Sequence, residues 1–312
     1  MLSGIHSPNA AFTPDDYRTA RLMGARSCKL LATAGTQHEI ADLITLRSYG
    51  VTDCTVRLRD TREPDGRYPS ADEYVASVLG TLRTFYSYGV RRFGIDNEPN
   101  QPGMWDTRGF GPWQYQYFMR HVVHLLRETV PPDVVLVSPP LSFAPALWSL
   151  GGENTTPYIL DDWLAAFHWT DGGRLPNLWR IFDEVGANVY WQSLRQMADP
   201  SYGAAYDQLH ARSGGMTVCV LEYASSASRV YNPDGSPRWT LSAANEMRRA
   251  QYPEWLREAA LSGYVSRAYL YISPGATSDW ADFRITSGIA EAVGEIDPNT
   301  GGLVLGAGRG IV

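Results

Sequence analysis

The chain alternates between short β-branched or apolar runs and longer stretches whose apolar residues recur with helical spacing. This pattern predicts strands and helices in strict alternation. The predicted strands cover residues 4–6, 27–31, 54–58, 93–97, 134–138, 187–190, 217–222 and 267–271. The predicted helices cover residues 14–23, 40–49, 71–88, 112–129, 160–166 with 178–184, 204–213, 242–262 and 286–295.

The ends of several predicted helices carry local signals. Ser70 and Glu73 have the spacing of a capping box, which indicates a helix starting at residue 71. Gly24, Gly50 and Gly89 each stand between a predicted helix and the next strand. Glycine at this position is typical of the left-handed residue that ends a helix, so the chain reads as repeated βα units.

Eight successive βα units, averaging roughly 37 residues each, predict a closed (β/α)8 barrel formed by residues 1–312 as one domain. An open, doubly wound sheet is the alternative fold. Stretches rich in proline and glycine follow predicted strands at residues 103–112, 151–157, 171–176 and 232–237. In a barrel these are loops at the carboxyl ends of the strands, where active sites are built.

Charge and composition narrow the possible partners. The chain has 27 basic and 33 acidic residues, a net charge of −6, and Lys29 is its only lysine. This balance argues against nucleic acid or an anionic membrane surface as a partner, and no run of about 18 apolar residues predicts a membrane span. We expect a monomer. Cys28, Cys54 and Cys219 form no CxxC pair and are expected to be buried apolar residues.

The first residues contain no basic stretch followed by an apolar core, so we expect no signal peptide in this sequence. The localisation is therefore left open. The protein is secreted if a signal peptide has been removed, and cytoplasmic otherwise.

Two glutamates occupy the strand ends at which a barrel carries its catalytic groups. Glu98 follows the fourth predicted strand and Glu222 ends the seventh. Pro99 ends the fourth strand because it has no backbone donor. Strands four and seven lie nearly opposite each other in an eight-stranded barrel, so we expect the two carboxylates to face each other across its mouth.

Asn97-Glu98-Pro99 together with Glu222 resembles glycoside hydrolase clan A, the 4/7 superfamily of retaining β-glycosidases. The resemblance implies a (β/α)8 barrel that cleaves a β-linked oligo- or polysaccharide without a metal or organic cofactor. It implies that Glu98 is the general acid/base, that Glu222 is the nucleophile, and that Asn97 hydrogen-bonds the sugar 2-hydroxyl.

Further residues follow from the same resemblance. Tyr190 matches a tyrosine that donates to the nucleophile, and Arg57 matches an arginine that keeps the nucleophile ionised. Asn188 stands where many relatives carry histidine, which is a departure. The tryptophan that usually ends strand eight is also missing, and Tyr271 or Trp280 is expected to replace it.

Other residues are substrate-binding candidates by position and chemistry. Lys29 lies within strand two, where an isolated charge is costly unless it is paired, and His6 ends strand one within reach of a sugar hydroxyl. Trp191 and Trp105 are expected to stack on sugar rings. Further loop tryptophans, which predict an extended cleft and an endo-acting enzyme, stand at positions 113, 148, 163, 169, 179 and 239.

Two other functions remain as alternatives. A catalytically inactive barrel that binds carbohydrate, as a lectin does, is the main one. Metal-assisted hydrolysis is disfavoured because no set of ligands gathers at the strand ends, and His121 and His124 lie on a helix outside the barrel.

Overall fold

The structure is a computed structural model that describes residues 1–7, 11–32, 38–58, 69–101, 111–143, 160–230, 232, 234, 236–272 and 282–297. Its centre is one parallel sheet. The strands are β1 (Leu2–His6), β2 (Ser27–Ala32), β3 (Asp53–Leu58), β4 (Arg92–Ile95), β5 (Val135–Val137), β6 (Leu141–Phe143), β7 (Val185–Trp191), β8 (Val218–Ser225) and β9 (Val265–Leu270). Their order is β5-β4-β3-β2-β1-β9-β8-β7-β6, and every pairing is parallel.

The sheet closes through its two end strands: β5 lies within the fifth predicted strand, residues 134–138, whereas β6 was not predicted. β5 pairs with β4, and β6 pairs with β7. Pro139 and Pro140 lie between them and cannot donate backbone hydrogen bonds, so β5 ends before them and β6 starts after them. A bridge between Val137 and Glu184 carries the contact across the break. The predicted (β/α)8 barrel is confirmed, and the open-sheet alternative is wrong.

Helices separate the strands as predicted. They are α1 (Pro14–Leu22), α2 (His38–Ser48), α3 (Ala71–Ser87), α4 (Pro112–Thr129), α5 (Leu160–His168), α6 (Leu194–Met197), α7 (Ala205–Arg212), α8 (Leu241–Leu261) and α9 (Ser287–Gly294). The predicted helix at 178–184 is wrong: the structure has a short 3-10 helix, Leu178–Ile181, and then enters β7. The short helix α6 was not predicted.

The local signals at the helix ends have the expected geometry. The Ser70 hydroxyl accepts from the backbone of Glu73, and the Glu73 carboxylate accepts from the backbone of Ser70, which completes the capping box of α3. Gly24, Gly50 and Gly89 all have positive φ. The chain can therefore leave each helix through a left-handed residue that is cheap only for glycine.

Charged residues meet near the amino ends of the strands. Arg92 donates to both carboxylate oxygens of Glu184, at 3.0 and 3.1 Å, and to Asp53 at 3.4 Å. Arg267 donates to Asp53 at 2.5 Å and lies 3.7 Å from Glu184. Two guanidinium groups and two carboxylates thus form one ring of ion pairs at the end of the barrel away from Glu98 and Glu222.

Apolar side chains fill the space between the strands and the helices, and the three cysteines are buried and unpaired, as expected. Among the described residues, no helix is both long and apolar enough to cross a membrane.

Candidate active site

Glu222 is a buried carboxylate inside β8, three residues before that strand ends. Its Oε1 atom accepts from Lys29 Nζ at 2.8 Å and from Arg57 Nη1 at 3.1 Å, and it lies 3.2 Å from His6 Nε2. Its Oε2 atom accepts from the hydroxyl of Tyr190. Strands β1, β2, β3 and β7 each supply one of these partners, so the closed barrel is what assembles them.

These partners determine the charge of Glu222. Burial raises the pKa of the carboxyl, but the positive charges of Lys29 and Arg57 and the contact with His6 outweigh it. The pKa of Glu222 therefore lies well below its usual value. Burial lowers the pKa of Lys29 to about 8 and, together with Lys29, lowers that of His6 to about 4. At neutral pH, Lys29 and Arg57 supply the positive charge, and His6 is a neutral partner.

The backbone at the end of β4 turns sharply to present Glu98. Asp96 and Glu98 have φ values of 58° and 45°, a region that non-glycine residues rarely adopt and that costs of order 1 kcal/mol each. Packing holds the turn in place. Asp96 accepts from the hydroxyl of Tyr115 at 2.8 Å, and the backbone N–H of Glu98 donates to the carbonyl of Pro140 at 3.0 Å.

The Glu98 carboxyl has neutral partners, unlike that of Glu222. Asn188 Nδ2 donates to Glu98 Oε1 at 2.9 Å, and Asn97 Nδ2 lies 3.4 Å from Oε2. The hydroxyl of Ser142 on β6 also hydrogen-bonds Glu98. Asn188 therefore takes up the position beside the acid/base candidate, where the resemblance led us to expect histidine.

Burial and the nearby negative charge of Glu222 raise the pKa of Glu98 to about 7. One carboxyl is thus held protonated near neutrality while its neighbour is held ionised. Groups whose pKa values are driven apart in this way are typical of acid/base pairs in active sites.

Tyr271 stands beside this pair. Its ring meets those of His6 and Tyr190 edge to face, with centroids 5.0 and 6.1 Å away. It follows β9 directly, so it occupies the place at the end of the eighth barrel strand for which the sequence proposed it.

The expectation that Trp191 stacks on sugar is wrong. Its ring is fully buried on the helix side of β7, stacked on Trp255 at 5.8 Å, and its indole N–H donates to Gln251 at 2.9 Å. Successive residues of a strand face opposite sides, so the orientation that brings Tyr190 to Glu222 turns Trp191 away. Trp163 and Trp179 are also fully buried and cannot stack on sugar.

Several candidates lie outside the described residues, namely Trp105, Trp148 and Trp280. Of the tryptophans that the structure does describe, Trp113 and Trp239 are partly exposed and Trp169 is half-buried. The expectation of an extended aromatic cleft therefore stays a prediction.

Sequence reasoning missed a second group of residues beside Glu98. The Asn100 side chain accepts from the backbone N–H of Ser142 at 2.8 Å and donates to its carbonyl at 3.0 Å. Gln101 donates to the Ser142 hydroxyl at 2.8 Å. These contacts fix β6 against the Asn97–Glu98 turn. Polar residues directly after Pro99 were the signal available in the sequence.

Within the described part of the chain, no group of three or more histidine, cysteine, aspartate or glutamate side chains is arranged to hold a metal ion.

Solved structures share this architecture. One is a GH128 (subgroup III) curdlan-specific exo-β-1,3-glucanase from Blastomyces gilchristii in complex with glucose, with a TM-score of 0.52 and 14% identity over 95% of this chain and 98% of that chain. Another is Saccharomyces cerevisiae Gas2p in complex with laminaritriose and laminaritetraose, with a TM-score of 0.55 and 13% identity over 95% of this chain. This chain spans 65% of that Gas2p chain.

The chain shares its barrel fold with these solved structures. The resemblance drawn from Asn97-Glu98-Pro99 and Glu222 is thereby confirmed at the level of the fold. No protein-family model matches the chain, and no curated protein matches it either.

Proposed function

We propose that the protein is a retaining glycoside hydrolase that cleaves a β-linked glucan by double displacement. The observation that supports this proposal is that two buried carboxyls in one barrel have pKa values shifted in opposite directions. Burial and a like charge hold the proton on Glu98, while two cations keep Glu222 ionised.

In the first step, Glu98 donates its proton to the glycosidic oxygen as the bond from that oxygen to the anomeric carbon breaks. Glu222 attacks the same carbon and forms a glycosyl-enzyme ester. In the second step, the ionised Glu98 removes a proton from water, whose oxygen attacks the anomeric carbon and releases Glu222. Two inversions give retention of configuration.

The neighbouring residues have roles in the same scheme. Tyr190 and Lys29 bind the two oxygens of Glu222 and hold it in one orientation for attack. Asn97 lies beside Glu98, and we propose that its amide binds the sugar 2-hydroxyl, a contact that aids catalysis if it strengthens in the transition state. His6 and Tyr271 form the wall of the site beside Glu222.

β-1,3-glucan is the substrate to test first. The structures with this fold include a protein described as a β-1,3-glucanase and one solved with laminari-oligosaccharides. We propose the same linkage for this protein, acting on oligo- or polysaccharide chains.

Release of reducing ends from β-1,3-, β-1,4- and mixed-linkage glucans tests the proposal. We expect turnover on the β-1,3-linked chain, and proton NMR at early times should show that the product keeps the β-configuration. An α-anomer as first product, or no turnover on any β-glucan, would overturn the proposed function.

Variants separate the two roles. Glu222→Ala should lose turnover and regain it with azide, giving an α-glycosyl azide, because the small anion fills the vacated nucleophile position. Glu98→Ala should retain activity on aryl glycosides with good leaving groups, which need no acid in the first step. Glu246→Gln, an exposed glutamate on α8, is the control and should behave as wild type. If both catalytic variants responded alike, the assignment of roles would be wrong.

Binding by the Glu222→Gln variant distinguishes an enzyme from a lectin-like barrel. An enzyme should lose turnover while oligosaccharide binding persists. A wild-type protein that binds laminari-oligosaccharides without cleaving them would favour the lectin-like alternative.

We also propose endo action. Chain-cleaving enzymes release mixed oligosaccharides from the start, because substrate extends on both sides of the carboxyls. Early release of a single mono- or disaccharide would show exo action instead.

A further inference from the structure

A second polar network lies behind the site, on the side of Glu222 away from Lys29 and Arg57. Its centre is Arg248 on α8, which is fully buried. Burying a guanidinium group is costly unless its donors are satisfied, so its contacts show which parts of the molecule it holds together.

Arg248 joins three separate segments. It donates from Nε to the carbonyl of Ser225 at the end of β8, at 2.9 Å, and from Nη2 to the hydroxyl of Ser228 at 2.7 Å. From Nη1 it donates to the carbonyl of Asp282, at 2.5 Å, and to Asn245 on its own helix, at 3.0 Å. The end of the nucleophile strand and the segment that follows residue 281 are thereby tied to one side chain.

Asp282 is held a second time through its carboxylate. Arg229 donates to both of its oxygens at 3.0 Å, and Ser228 donates to Oδ2 at 2.9 Å. Burial raises the pKa of the Asp282 carboxyl, but these donors outweigh it and bring the pKa below its usual value. The backbone at Asp282 is therefore fixed from both its carbonyl and its side chain.

This anchoring places the next residue, Phe283. Its ring is buried, with the guanidinium groups of Arg229 and Arg248 4.8 and 5.3 Å from its centroid. It meets Tyr190 and Tyr271 edge to face, at centroid distances of 6.5 and 5.8 Å. Phe283 thus stands directly behind the tyrosine that donates to Glu222 Oε2.

We propose that Arg248 is a positioning residue for the nucleophile, acting through Asp282 and Phe283 on the orientation of Tyr190. This role rests on the proposed function, and it concerns a residue that never touches substrate. Without the network, Phe283 moves, Tyr190 loses its alignment, and Glu222 loses the donor on Oε2.

Arg248→Lys tests the proposal because lysine keeps the charge but cannot reach all four acceptors at once. We expect kcat to fall roughly 10- to 100-fold, with KM little changed, since small misplacements at a reacting group have effects of that size. Arg249→Lys is the matched control. Arg249 is the neighbouring, exposed arginine on α8, and its variant should behave as wild type.

The pH profile gives a readout that a purely structural role would not change. Glu222 must be ionised, so activity falls as the pH drops through its pKa, and loss of the Tyr190 donor should move that acidic limb to higher pH. The other groups facing Glu222 are His6, Lys29, Arg57, Glu98 and Tyr271, and of these Tyr271 also contacts Phe283.

Phe283→Leu is the second variant, and it decides the matter if Arg248→Lys does not fold. It keeps an apolar side chain but removes the edge-to-face contacts, and it should shift the acidic limb in the same direction. Wild-type kcat and an unchanged limb in the folded variants would overturn the positioning role alone. A wild-type protein with no hydrolytic activity would overturn the proposed function itself.

Discussion

At the scale of single residues, the two candidate catalytic glutamates have opposite surroundings. Glu98 has the amides of Asn188 and Asn97, which are neutral, whereas Glu222 has Lys29 and Arg57, which are positive. The hydrogen bond from Asn188 lowers the pKa of Glu98, but burial and the charge of Glu222 outweigh it, whereas the two cations bring the pKa of Glu222 well below its usual value. Both cations donate to the same atom, Glu222 Oε1.

The pKa of Glu98 predicts the alkaline side of the pH–rate profile. Glu98 must be protonated in the first step, and its pKa is raised to about 7. Under the proposed mechanism, activity should therefore fall to about half near pH 7 and continue to fall as the pH rises, while the acidic limb is set by Glu222. The measurement is kcat/KM against pH on a substrate with a poor leaving group. A substrate with a good leaving group should not show this decline.

Removing the charge of Glu222 should change its neighbour. The negative charge of Glu222 is one cause of the raised pKa of Glu98, so Glu222→Gln should lower the pKa of Glu98 below about 7. Titration of the variant by carbon-13 NMR of labelled glutamate side chains measures this shift. An unchanged Glu98 pKa would show that the two carboxyls do not interact as the structure indicates.

At the scale of helices and strands, α3 shows how local sequence determines where an element ends. The helix is capped by Ser70 and Glu73 and closes at Gly89, whose φ is 84°. Gly80 lies inside the same helix, with open space where a side chain would be. The backbone thus requires the glycine that follows the helix but not the one inside it.

Replacing each glycine by alanine should give effects of opposite sign. Gly80→Ala should stabilise the protein by about 0.5–1 kcal/mol, because alanine favours the helix. Gly89→Ala should destabilise it by about 1 kcal/mol, because alanine resists positive φ. Denaturant unfolding of both variants measures the free energies. Equal effects at the two sites would contradict the role given to Gly89.

Much of the fold follows from sequence because its signals are local. Strand runs, capping residues and helix-ending glycines each act within a few positions, and counting strands was enough to pair Glu98 with Glu222. The alternation of side chains along β7 also predicts that Tyr190 and Trp191 point in opposite directions, so only one of them could face the site. The positions of Arg248 and Phe283 near the site could not be predicted from the sequence, because their contacts join segments far apart in the chain.

At the scale of the whole molecule, a ring of ion pairs and the two candidate catalytic glutamates lie at opposite ends of the barrel. The ring of Asp53, Arg92, Glu184 and Arg267 joins four strand beginnings, while Glu98 and Glu222 are presented at the other end. Because the side chain of Glu184 is mostly buried, its charge matters more than that of a surface ion pair.

Glu184→Gln should therefore destabilise the fold by about 3 kcal/mol, since it leaves Arg92 and Arg267 in excess in a buried site. Glu258→Gln, which breaks an exposed pair with Arg257, is the control and should change stability by less than about 1 kcal/mol. Below the unfolding transition, kcat of the Glu184 variant should equal that of wild type. A large fall in kcat would show that the ring also shapes the site.

The pairing of β1 with β9 determines when the barrel can close during synthesis. Leu2 on β1 pairs with Arg267 on β9. The strand β1 therefore cannot pair with β9 until Arg267 has left the ribosome. At about 5–20 residues per second, this takes roughly 15–50 s after β1 emerges. During that interval Lys29 and Arg57 have been made but Glu222, for most of it, has not. The nascent chain thus carries two cations destined for burial before their counterion exists, and the barrel can close only after synthesis of that long intervening stretch.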